Sequence, residues 1–113
     1  LRIKKGFDQE NAALQSEIYP DEQGRVFQEI SELQRVEIQL GSEGAVKGYL
    51  VVGDKLEPLP IGSSLDPVKG VFCWQPGPGF VGDYELVFFG KEINGALFKK
   101  NVHLKVVPLF HRE

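Results

Sequence analysis

Methionine is absent from this chain, and cysteine and tryptophan occur once each. A lone thiol, Cys73, cannot close an internal disulfide, so a small disulfide-stapled scaffold is excluded. The two histidines, His103 and His111, lack cysteine or acidic neighbours at metal-ligand spacing. No apolar run approaches the roughly 20 residues of a membrane-spanning helix. There is no signal peptide and no Asn-x-Ser/Thr acceptor. The chain opens on Leu1, which predicts a segment cut from a longer protein whose targeting signal lies outside this window. Basic residues are not in excess: Lys and Arg total 13 against 16 Asp and Glu, a net charge of −3. That balance lacks the footprint of a nucleic-acid binder.

What remains is a chain suited to strands. Its 113 residues are 42% apolar, enough for one core and one domain over residues 1–113, with 109–113 read as a tail or linker. Val and Phe are frequent, Ala is sparse, and 13 Gly and 7 Pro punctuate short alternating runs. Strands are predicted over 1–4, 26–30, 35–40, 46–52, 71–74, 84–89 and 97–107. The run Arg35 to Leu40 alternates most cleanly and should bury Val36, Ile38 and Leu40. Asp8 to Ser16 reads as a loop or one helical turn, with turns at 21–24, 41–44 and 53–54. Gly48 inside a strand reads as a bulge. Lys55 to Pro67 carries Pro58, Pro60 and Pro67 and can hold only short extended pieces.

The last two strands define their own register. Tyr84, Leu86 and Phe88 share one face, and Val102, Leu104 and Val106 share one face of the next strand. A two-residue loop at Asn94-Gly95 would set Leu86 opposite His103 and split the apolar faces. A three-residue loop, Ile93-Asn94-Gly95 with Gly95 left-handed, sets Tyr84 opposite Leu104 and Leu86 opposite Val102. Each large side chain buried correctly contributes about 1.5–3 kcal/mol, so the three-residue loop is expected. It also sets Glu85 opposite His103 on the outer face.

Leu59 to Leu86 reads LPIGSSLDPVKGVFCWQPGPGFVGDYEL. Through Leu59, Pro60, Gly62, Leu65, Asp66, Gly70, Phe72, Trp74, Pro76, Gly82 and Tyr84 it resembles bacterial immunoglobulin-like and dystroglycan-type cadherin-like modules. The resemblance covers about a quarter of the chain; Leu1 to Ile30 lies outside it. It implies an all-β, immunoglobulin/cadherin-like β-sandwich of about seven strands. It further implies a non-catalytic structural or protein-binding module of a bacterial surface, periplasmic or secreted protein, with neighbouring domains or another protein as partners. The residues agree: Phe72 and Trp74 share a face and should anchor the core. Pro76 to Gly79 should cross between sheets, and Tyr84 resembles a tyrosine corner bonding back to the preceding loop. The alternative is a carbohydrate-binding accessory module of a larger extracellular enzyme, with Tyr19, Tyr49 and Phe80 as its exposed aromatics.

No catalytic constellation emerges. Cys73 points away from the core and would need a base; His103 is the one candidate to approach it across a sheet. Gly77, Gly79 and Gly82 do not make a phosphate cradle, because Pro78 offers no N–H and no helix follows. Cadherin-like relatives bind calcium between domains, but Asp66, Asp83 and Glu85 are scattered, so no cofactor is expected. One feature departs from a plain water-facing sheet. Val71, Cys73, Val87 and Phe89 fall opposite the core, with His103 beside them. They form a candidate contact face, covered either by the segment Phe7 to Tyr19 or by a partner.

Overall fold

The computed structural model describes residues 1–6, 24–41, 45–92 and 94–109 in full, and the backbone of 14–17. Among these residues there is no helix, so none is long and apolar enough to cross a membrane. The described residues form ten strands: β1 (Arg2–Gly6), β2 (Leu14–Glu17), β3 (Arg25–Ser31), β4 (Arg35–Gln39), β5 (Lys47–Val52), β6 (Lys55–Glu57), β7 (Ser64–Asp66), β8 (Val71–Trp74), β9 (Gly82–Lys91) and β10 (Leu97–Val107). They form two sheets, ordered β2-β1-β4-β8-β7 and β3-β10-β9-β5-β6, which pack as a β-sandwich. Six of the strands, β1, β3, β4, β8, β9 and β10, carry the buried side chains of the core, and β5 packs Leu50 against it. The short β2, β6 and β7 extend the sheet edges. All pairings are antiparallel except β3 on β10.

The alternation read from the sequence sets the inward faces. Ile3, Val36, Ile38, Phe72 and Trp74 are buried from the first sheet. Val26, Ile30, Leu86, Phe88, Val102, Leu104 and Val106 are buried from the second. Phe72 meets Phe88 across the sheets at 5.4 Å between ring centroids. Trp74 receives Tyr84 edge-on at 4.9 Å, and Phe80 at 6.1 Å. Both polar tips find carbonyls, as buried amphipathic rings require. The Trp74 Nε1–H donates to Ile61 O at 3.2 Å. The Tyr84 hydroxyl donates to Phe80 O at 2.9 Å, which ties β9 to the loop crossing between the sheets.

The β9–β10 register is the expected one: Tyr84 pairs with Leu104, Leu86 with Val102, and Glu85 with His103. Glu92 N–H donates to Ala96 O, leaving three loop positions, and Gly95 takes a left-handed φ of 86°. Ile93 and the turn at 42–44 lie outside the described residues, as do the predicted turn residues 21–23.

Two sequence readings are corrected. Leu14 to Glu17 is strand β2, not loop or helical turn. It pairs with β1, whose open edge supplies a backbone ladder that a polar sequence can still use. Gly48 is not a bulge. It pairs in regular register opposite Phe88, and the missing side chain makes room for that ring.

Candidate functional site

The five residues predicted as one contact face lie on two. Val71 and Cys73 belong to β8 and face outward from the first sheet. Val87, Phe89 and His103 face outward from the second sheet. The crossing loop after Trp74 separates the two groups, because it sends the chain to the opposite layer. Cys73 and His103 therefore cannot meet across a sheet. Nor does the described part of the predicted cover, Leu14 to Glu17, lie over Val87 and Phe89; it is paired to β1 in the first sheet.

On the first sheet Cys73 sits in a polar network. Arg35 donates to its sulfur at 3.4 Å, and the thiol lies 3.8 Å from Glu37 Oε1. Lys4 and Arg35 each approach Glu37 at 3.6 Å. The Gln39 amide, with Lys4 and Arg35, lowers the Glu37 pKa. Burial, then the adjacent Glu37 charge, pushes the Cys73 thiol up despite Arg35, so the thiol form is favoured over the nucleophilic thiolate.

The second outer face holds a group that sequence reading placed only in part. His103 Nε2 meets Asp83 Oδ1 at 2.8 Å, and Nδ1 meets Glu85 Oε1. Arg25 reaches the same Glu85 oxygen at 2.8 Å. Phe27 stacks on the imidazole with centroids 5.3 Å apart. The Glu85–His103 pairing was legible from the hairpin register. Arg25 and Phe27 were not, because β3 joins β10 in parallel across 76 residues of sequence (Asn101 against Arg25). Only the imidazolium can donate from both nitrogens, so this geometry calls for the protonated ring. Asp83 first, then Glu85, raises the His103 pKa above its ordinary 6.5.

The sign of that shift sets how stability depends on pH. A raised folded-state pKa means the stabilisation is fully present below about pH 6.5 and is lost as pH rises through the folded value. The facing charges are Arg25 and Glu29 on β3, Asp83 and Glu85 on β9, and Lys105 on β10 itself. Asp83 is well exposed, so the gain is held to about 1 kcal/mol or less. Denaturant titrations of wild type and His103→Gln should differ more at pH 6 than at pH 9. An equal difference at both pH values would show that the ring is not charged in this setting.

Farther along the same face, Phe89 pairs with Lys47 on β5 and with Lys99 on β10, and Tyr49 packs edge-on to it at 6.3 Å. Val87 points outward but is only 2% exposed, so it is floor and not contact surface. At the hairpin end a groove of about 480 Å³ opens among Ala45, Lys47, Phe89, Lys91, Leu97 and Phe98. The aromatics considered for carbohydrate are not brought together. Tyr49 lies on this face, Phe80 packs on Trp74, and Tyr19, like His111, is outside the described residues.

Among the described residues no group of three or more His, Cys, Asp or Glu could hold a metal ion. Asp66 is occupied otherwise: its Oδ1 accepts the Val68 and Lys69 amides at 3.0 Å, which lowers its pKa. Neither the protein-family models nor the curated proteins contain a match to this chain.

Proposed function

We propose that this chain is a non-catalytic immunoglobulin-like module of a bacterial surface, periplasmic or secreted protein, binding or spacing neighbouring domains or another protein. The observation that carries the reading is the strand order. With β1, β4, β8 and β7 taken as A, B, E and D, and β5, β9 and β10 as C, F and G, it corresponds to the ABED and CFG sheets of such sandwiches. The Tyr84 hydroxyl bond at the start of β9 supports it as a tyrosine corner. The burial that pushes the Cys73 pKa up, away from the nucleophilic thiolate, supports a non-catalytic role.

The contact surface in this reading is the outer face around Tyr49 and Phe89. The test is site-specific photo-crosslinking in cells that make the full-length protein. A benzophenone side chain at Phe89 should yield an adduct with a protein or a neighbouring domain. The same group at Val71, on the opposite outer face, should yield far less. Equal yields from both positions, or none from either, would count against the reading.

A further inference from the structure

We infer that the hairpin end of the second sheet docks an acidic, apolar peptide segment, seated on Phe89 between Lys47 and Lys99. The inference rests on the module reading and names the chemistry of its partner. The ladder places the three side chains in one row: Lys47 opposite Phe89 on one side, Lys99 opposite it on the other. Adjacent strands are about 4.8 Å apart, so the two lysine stems rise about 10 Å apart with the ring between them. Both lysines are exposed. In the next row Lys91 stands opposite Leu97, which is 79% exposed.

The groove described above borders this row on its Lys47 and Lys91 side, and none of the described residues lining it is acidic. The acids of the same face among the described residues, Glu29, Asp83 and Glu85, lie at its other end, where His103 and Arg25 hold Asp83 and Glu85. Among the described residues this end of the face carries Lys47, Lys91 and Lys99 against Glu92, a local excess of positive charge on a chain whose net charge is −3. Gathering cations around a half-buried ring carries a repulsive cost, which a bound carboxylate offsets. An extended peptide fits the spacing. Side chains four residues apart project to the same side about 13 Å apart, with one apolar residue between them to rest on Phe89. Flexible lysines span that distance.

The probe is the peptide Glu-Ser-Phe-Ser-Glu, titrated into isotope-labelled protein at low salt and followed by amide chemical shifts. Shifts should be confined to residues 45–49, 89–91 and 97–99. Lys47→Glu with Lys99→Glu should weaken binding by about tenfold or more, as should replacing both peptide glutamates by glutamine. Lys69→Glu, on a turn of the first sheet, should leave binding unchanged. These exposed positions permit folding to be verified by near-UV circular dichroism. The inference is overturned if the glutamine peptide binds equally, if shifts map elsewhere, or if none appear at millimolar peptide. It is also overturned if the protein instead sediments with phosphatidylglycerol vesicles through the same lysines. A crosslink from position 89 alongside an inert acidic peptide would leave the module reading standing and sink this one.

Discussion

Replacing Trp74 by alanine is expected to cost about 3–5 kcal/mol of folding stability, the range for removing a buried aromatic. The ring is 1% exposed and lies where the two sheets meet the crossing loop. It packs edge-on with both Tyr84 and Phe80, and opposite Val36 in the β4–β8 ladder. Truncation therefore removes the ring that Tyr84 leans on and opens a cavity that rigid strand backbones cannot collapse. Domains of this size are stable by about 5–15 kcal/mol, so the loss is a large fraction of the total. Trp74→Phe keeps most of the buried area but gives up the Nε1–H bond to Ile61 O, and should cost about 1–2 kcal/mol. Guanidinium midpoints for the two variants check both values. An alanine variant within about 1 kcal/mol of wild type would remove Trp74 as the core anchor.

Gly48→Val should destabilise by about 2–3 kcal/mol, from overpacking and not from a lost contact. A Cβ at Gly48 would lie 2.8 Å from two carbon atoms of the Phe88 ring and 3.2 Å from Leu59 Cδ1. Phe88 is fully buried and meets Phe72 across the core, so its ring has little freedom to retreat. Valine is the better strand former, so propensity alone predicts stabilisation. The sign of the measured change therefore separates the two effects. Phe88→Leu in the Gly48→Val background should recover part of the loss, since the smaller side chain vacates the contested space. A neutral or stabilising Gly48→Val would show that the ring moves aside freely.

Much of the fold was legible because strand alternation is a local code. Val36, Ile38, Phe72, Trp74, Leu86 and Val102 could be assigned inward from their two-residue period, and the matching faces of two strands were enough to set the β9–β10 register. The candidate site was legible only where it is local. Glu85 opposite His103 follows from the hairpin, and Phe89 follows from alternation. Arg25 and Phe27 arrive from a distant strand, and Lys47 comes to Phe89 from β5, so no short-range pattern announced them.

By itself, the sequence determined that the chain is all-β, which side chains face inward along each strand, and how the last hairpin pairs. Those features depend on neighbours within a strand or across one turn. Only the tertiary structure decided which sheet each strand joins. That choice places Cys73 and His103 in different layers, turns Leu14 to Glu17 into an edge strand, and makes Gly48 a seat for Phe88. The physical reason is that every strand offers the same backbone donors and acceptors to any partner. Pairing is settled by how the whole set of apolar faces packs, and that is a property of the assembled sandwich.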